Sequence, residues 1–241
     1  MNLDILCFGP HPDDAEIGMG GTLAKHAAMG YRVGIIDLTR GEMSTNGTPE
    51  ERREEAREAG RILGLSVREN LALPDFGIDP SHDQILKVAA AIRTFRPAVV
   101  ACPYWEDRHP DHVRASRLLT EGVFAAGLRK VHPESDPHRV PRTLYYFINT
   151  DREPTFLVDV SDVYEIKLRS LAAHKSQFGL PGQTAKDIPL NYRGDDTPLT
   201  DPRYLRRVRS RDQYFGSLCG VQFAEGFVMR DRVVVPDLMR M

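Results

Sequence analysis

The sequence predicts an α/β fold with a Rossmann-like, mostly parallel sheet covered by helices on both faces, built as a single domain over residues 1–241. Three observations predict it. Short β-branched runs are apolar at nearly every position rather than at alternate ones, the pattern of strands buried on both faces. Segments of helical length separate them, and strand–helix–strand repetition demands parallel strands joined by right-handed crossovers. A length of 241 residues, 41% hydrophobic and 27% charged, suits one α/β domain with a core that needs no staples.

Leu3–Phe8 reads as the first strand, followed by a helix over Gly21–Met29 and a strand over Val33–Leu38. The next helix, Pro49–Leu63, has Thr48 as its cap, Pro49 in its first turn and Gly64 as its stop. Glu50–Arg53, Glu54–Arg57 and Glu58–Arg61 pair along it at i,i+3. Strands at Asn70–Leu73 and Ala98–Pro103 flank a helix over Asp83–Phe95, and a fourth helix starts near Pro110 and runs to about Ala126. Beyond it, Leu144–Asn149 and Thr155–Val160 read as strands, Val163–Ser176 and Arg203–Leu218 as helices, and Gly226–Met229 as a last strand. Residues 179–202 gather Gly, Pro, Asn and Asp without periodicity and read as a lid or rim loop.

Charge counting, 32 − 34 = −2, gives no basic field for nucleic acid. No apolar run approaches the roughly 20 residues that span a bilayer, so no membrane partner is expected. The N-terminus lacks the basic and apolar regions of a signal peptide. Cys7, Cys102 and Cys219 form neither a disulfide framework nor a CxxC, which fits a reducing compartment. The expected location is cytoplasmic, with Cys7 and Cys102 in the core.

Two motifs carry chemistry. His11-Pro12-Asp13-Asp14 follows the first strand, and His109-Pro110-Asp111-His112 follows the fourth. In an open parallel sheet, loops beyond the carboxyl ends of the strands line the ligand crevice, so both motifs fall where a site is built. Imidazole and carboxylate groups of this kind bind divalent transition metals. A catalytic site of zinc type needs three protein ligands and one open position, which His11, Asp14 and His112 supply. Asp13 and His109 are then left beside the metal as general base and second polar catalyst. Metal-assisted hydrolysis is the reaction class implied. The rival reading is a metal-free dinucleotide-binding protein, suggested by Gly18, Gly20 and Gly21. Leu23 stands where the third glycine of that fingerprint belongs, and close helix–sheet packing explains the glycines better. His174 and Gln177, in AHKSQ, are read as rim residues. The arginines at 203, 206, 207, 209 and 211 are read as a solvated or subunit-contacting helix face.

GPHPDDAEIGMGGT, LTRGEMSTNGTPEERREEA and PYWEDRHPDHVRAS resemble the signatures of the LmbE-like, or PIG-L, family of metal-dependent N-acetylglucosamine deacetylases. AHKSQFG and RDQYFGSLCGVQFAEGF are similar to its bacillithiol-biosynthesis branch, which acts on N-acetylglucosaminyl-malate. The resemblance implies Zn2+, with Fe2+ accepted by the same ligands, on His11, Asp14 and His112. It implies Asp13 as base, and His109 as the oxyanion-stabilising histidine kept charged by Asp111. It also implies Arg52 as a substrate-binding residue, and Arg108 and Gln177 are expected beside it. Two guanidiniums suit the carboxylates of a malate conjugate. The remaining implications are a small-molecule sugar conjugate as substrate and a homo-oligomer, a hexamer in form.

Overall fold

In the computed structural model, which describes residues 2–131, 134–178 and 202–232, the strands are β1 (Ile5–Gly9), β2 (Val33–Thr39), β3 (Val67–Leu73), β4 (Val99–Pro103), β5 (Arg142–Tyr146), β6 (Phe156–Asp159) and β7 (Ala224–Val228). The helices are α1 (Asp14–Ala28), α2 (Pro49–Leu63), α3 (His82–Phe95), α4 (Pro110–Ala126), α5 (Tyr164–Ala173), α6 (Lys175–Phe178) and α7 (Pro202–Cys219). The strands form one sheet in the order β3-β2-β1-β4-β5-β7-β6. Neighbours from β3 to β5 are parallel, and β7 runs antiparallel to both β5 and β6. Alternation along β1 shows why its apolar run is continuous. Ile5 and Cys7 pack with Ile17, Leu63 and Leu171 on one face, while Leu6 and Phe8 pack with Val88, Ile92 and Leu118 on the other. The chain winds outward from β1 to β3, then returns to lay β4 on the other side of β1. The crevice beyond the carboxyl ends of β1 and β4 is therefore the topological switch point.

Helix α1 starts at Asp14, seven residues before the expected Gly21. Its glycines are the points of close packing expected of them: a Cβ on Gly18 would lie 2.1 Å from a ring carbon of Tyr146, and one on Gly21 2.8 Å from the Cβ of Val160. Tyr146 is fully buried and donates its hydroxyl to the Phe8 carbonyl at 2.7 Å. Helix and sheet approach closely only because the side chains are missing. Met19 departs from helical dihedrals (φ −147°, ψ 24°), and the N–H groups of Gly21 and Thr22 donate to the Glu225 carboxylate at 2.9 and 2.6 Å. Gly18→Ala is expected to lower Tm by about 2–12 °C, since overpacking a core costs about 1–3 kcal/mol in a chain of this size. Thermal unfolding checks this; an unchanged Tm would show that the Tyr146 ring has room to move.

Other boundaries shift for identifiable reasons. β3 begins at Val67 rather than Asn70, because Arg68 is a strand residue whose guanidinium is buried between Asp37, at 3.0 and 3.1 Å, and Glu16. The single helix expected over Val163–Ser176 is broken at His174 (φ −80°, ψ 65°). His174 is fully buried, with Nε2 3.0 Å from Glu16 Oε1, so it sits behind the site rather than on its rim. β5 ends at Tyr146, three residues before the expected Asn149. Cys7 and Cys102 are in the core as expected. The rim loop expected over 179–202 lies almost wholly outside the described residues, of which only its last position is one. Among the described residues no helix is long and apolar enough to cross a membrane.

Candidate functional site

β1 ends at Gly9, and the His11–Asp13 turn delivers the chain into α1; the His11 N–H donates to Asp14 Oδ2 at 2.9 Å. β4 ends at Pro103, and His109 caps α4, with Pro110 in the first turn. Two strand ends thus bring together His11, Asp14 and His112, nearly a hundred residues apart in the chain. One candidate ligand atom from each lies within 4.8 Å of the others. Asp14 Oδ2 stands between the imidazoles, 3.1 Å from His11 Nδ1 and 3.2 Å from His112 Nε2.

A second layer of carboxylates backs the imidazoles. His11 Nε2 lies 3.1 Å from Asp75 Oδ1 and 3.6 Å from Asp111 Oδ2. His112 Nδ1 lies 3.2 Å from Asp107 Oδ1. Asp107 is itself fixed by the N–H groups of His109 and Asn149 at 2.8 and 3.0 Å. Carboxylates behind metal-binding imidazoles fix the rings and raise their basicity.

The electrostatics favour a cation. Burial pulls the His11 imidazolium down, but hydrogen bonds to Asp111, Asp14 and Asp75 outweigh it and hold its pKa well above the ordinary value. For His112 burial is outweighed by Asp14 and Asp107, which lift it to about 9. Burial pushes Asp14 up, but His112 and His11 hold it well below the carboxylate range. Carboxylates therefore outnumber buried cations at this point, and the imidazoles take up protons in answer. Two imidazoles and one carboxylate, backed by three further carboxylates, fit a divalent transition ion.

Asp13 takes no part in that trio. It is 2% exposed, and its backbone (φ 126°, ψ −27°) lies in a region that favours glycine, a strain of the kind found at functional positions. Burial drives its carboxyl up to about 7, against the pull of Arg52. Arg52 Nη2 lies 3.3 Å from Asp13 Oδ2 and donates to the Pro12 carbonyl at 2.6 Å. The expected substrate-gripping arginine is therefore buried and turned towards Asp13.

His109 and Asp111 differ from expectation too. Burial, then the imidazoles of His112 and His11, pull the His109 pKa down rather than up. Its Nδ1 accepts the Asp111 N–H at 3.2 Å, which leaves Nε2 as the donor. The Asp111 carboxylate does not face His109. It accepts the Phe76 N–H at 2.7 Å and an Arg114 N–H at 3.3 Å, and stands behind His11.

The cleft over these groups has a volume of about 650 Å³. Arg108 lines it, exposed at the rim. Gln177 also lines it but is buried, donating to the Asn46 carbonyl at 2.9 Å and accepting from Ser44 at 3.3 Å, so it braces the loop over the site. Asp75, Asp107, Asn149 and Tyr204 escaped the sequence reading. Tyr204 donates to Asn149 Oδ1 at 3.0 Å, and Asn149 Nδ2 donates to Asp107 Oδ1 at 3.0 Å, so the pair steadies the carboxylate behind His112. Two arginines of the expected outer face turn inward. Arg207 donates to the Asn149 carbonyl, and Arg211 to the carbonyls of Phe147, Ile148 and Ile17 at 3.0, 2.9 and 2.8 Å. Backbone leaving β5 needs donors there, and α7 supplies them.

Residues 6–123 match the family model PIG-L, GlcNAc-PI de-N-acetylase. The chain is also 32% identical over 237 residues to the diacetylchitobiose deacetylase of Thermococcus kodakarensis, spanning 92% of this chain and 81% of that one. The chain belongs to the PIG-L family. A solved structure, that of the conserved protein TT1542 of Thermus thermophilus, superposes on this PIG-L chain with a TM-score of 0.85 at 42% identity, covering 97% of this chain and 98% of that one. A Bacillus subtilis relative described as "Probable N-acetyl-alpha-D-glucosaminyl L-malate deacetylase 2" is 26% identical over 195 residues, covering 73% of this chain and 84% of that one. Both His-Pro-Asp motifs fall within the residues that match the PIG-L model.

Proposed function

We propose that this protein removes the N-acetyl group of an N-acetylglucosaminyl conjugate by metal-assisted hydrolysis. The observation that carries the proposal is the convergence of His11, Asp14 and His112 within 4.8 Å, with a spare buried carboxylate, Asp13, at the same turn. His11, Asp14 and His112 hold the ion, Zn2+ in our reading, with Fe2+ accepted by the same donors. When bound, it polarises a carbonyl oxygen and makes water more acidic. Asp13 takes the proton of the attacking water at its carboxylate, which Arg52 keeps in place, and the C–N bond then breaks as a proton passes from Asp13 or His109 to the leaving amine. His109 donates from Nε2 to the acyl oxygen as charge builds there, a task that a neutral imidazole performs. The test is acetate release from N-acetylglucosamine conjugates with different aglycones, beside metal analysis of the purified protein. No acetate from any of them overturns the proposal. The homo-oligomer implied by the resemblance belongs to this reading and is checked by light scattering.

The aglycone turns on Arg52. A malate conjugate needs partners for two carboxylates; Arg108 on the rim offers one, and the B. subtilis relative supports this class. A neutral sugar aglycone is the second reading, favoured by the inward turn of Arg52 and by the relative named for diacetylchitobiose. Arg52→Ala is expected to lower kcat/KM for the malate conjugate and for diacetylchitobiose alike. The loss should be about 10–150-fold, the rate equivalent of a charge-assisted hydrogen bond worth about 1.5–3 kcal/mol. Arg52→Lys should recover part of it. A loss confined to the malate conjugate would instead show that Arg52 grips the aglycone.

A further inference from the structure

Two apolar side chains stand exposed at the mouth of the cleft: Phe76, 62% exposed, and Met43, 70% exposed. Each is hung on a carboxylate that stands behind His11. Asp75 accepts the Met43 N–H at 2.9 Å with one oxygen and faces His11 Nε2 with the other. Asp111 Oδ2 accepts the Phe76 N–H at 2.7 Å and lies 3.6 Å from the same nitrogen. Phe76 also has φ 59°, in the left-handed region that a bulky residue adopts only where its surroundings impose it. Besides Asp111, Arg114 imposes it, with its guanidinium 5.6 Å from the ring centroid and Nη1 3.5 Å from the Phe76 carbonyl. The ring is thus held out to solvent, in fixed register with the site, against its own backbone preference.

We propose that Phe76 and Met43 form a subsite for the apolar face of a second pyranose ring, joined to the acetamido sugar at His11, Asp14 and His112. The proposal rests on the deacetylase reading and deepens it towards neutral oligosaccharides. A cleft of about 650 Å³ exceeds a single hexose and lies within the ordinary range of ligand pockets. An aromatic ring presents the flat, weakly negative face that the C–H groups of a pyranose meet. The same cleft is lined by Ser44 and Thr45, hydroxyl groups that match sugar hydroxyls.

The experiment uses the purified metal-loaded protein and its Phe76→Ala, Phe76→Gly and Phe76→Trp variants, with N-acetylglucosamine and N,N′-diacetylchitobiose as substrates. The ratio of kcat/KM for the disaccharide to that for the monosaccharide is expected to fall about 2–12-fold in the Ala and Gly variants, carried by KM, and to return in the Trp variant. Glycine adopts a positive φ freely and alanine does not. A loss in Ala that Gly restores would place the effect in the backbone at Asp111 and overturn the subsite. An unchanged ratio in both variants would overturn it as well, and so would a smaller assembly on sizing with the ratio intact, which would make Phe76 a contact between copies. Saturation-transfer NMR of the disaccharide separates this from failure of the deacetylase reading. Phe76-dependent transfer to the second ring without hydrolysis by the wild type keeps the subsite and sinks the activity. Hydrolysis of both sugars with transfer independent of Phe76 does the reverse.

Discussion

Asp13→Asn is expected to retain bound metal and to lose about 10²–10⁴-fold in kcat, the usual contribution of a positioned general base. The expectation follows from where Asp13 stands. It is the carboxylate of the first motif outside the metal trio, buried at 2% exposure and held by Arg52 at 3.3 Å. A side chain needed only to cap α1 would accept from the first turn of that helix, and Asp13 makes no such bond. Asparagine has the same shape and keeps an oxygen for Arg52, so the buried guanidinium is not left without a partner. What it lacks is a carboxylate able to take a proton. The measurements are metal content by elemental analysis, Tm, and single-turnover acetate release. Near-normal turnover with metal bound would remove Asp13 from the reaction. Loss of metal along with turnover would make it part of the ion's support instead.

How much of this was legible in the sequence depends on how each group announces itself. The paired motifs were legible because continuously apolar strands imply a parallel sheet, and a parallel sheet gathers the loops after β1 and β4 at one crevice. Asp75 and Asp107 were not, since each lies in a segment between elements, where Asp is common for local reasons. Their role lies in facing a ring nitrogen of His11 or His112, a relation that spacing does not encode. The inward arginines were half legible. Arg52 shares its helix face with Ala56, Ala59 and Leu63, and Arg211 shares its own with Tyr204, Val208 and Phe215, all six buried. For Arg211, reading charge as surface hid a periodicity that was already present. The glycines of α1 were legible as points of close packing, but the Tyr146 ring that Gly18 admits was not, since it comes from a distant strand.

The histidines of the second motif are expected to separate cleanly. His112→Ala should lower affinity for the ion by more than about 100-fold, beyond what losing an outer carboxylate costs, because it removes one of three direct donors. Asp107→Asn should lower it about 10–100-fold, since the amide replaces the carboxylate 3.2 Å behind His112 Nδ1. His109→Ala should leave affinity close to wild type and lower kcat by about 10²–10³-fold, the typical cost of losing one donor to a developing oxyanion. The two rings stack with centroids 4.6 Å apart, so an alanine at 109 opens space beside the ligand. His109→Gln controls for that: it fills much of the space and keeps an N–H donor, and should recover part of kcat with no change in metal. The readouts are competition with a chelator of known affinity and acetate release at saturating metal. Equal metal loss from the 109 and 112 variants would mean that both rings reach the ion and that the donor to the acyl oxygen lies elsewhere. Full affinity in Asp107→Asn would show that Asn149 alone holds the His112 ring, through the amide 3.4 Å from its Nδ1.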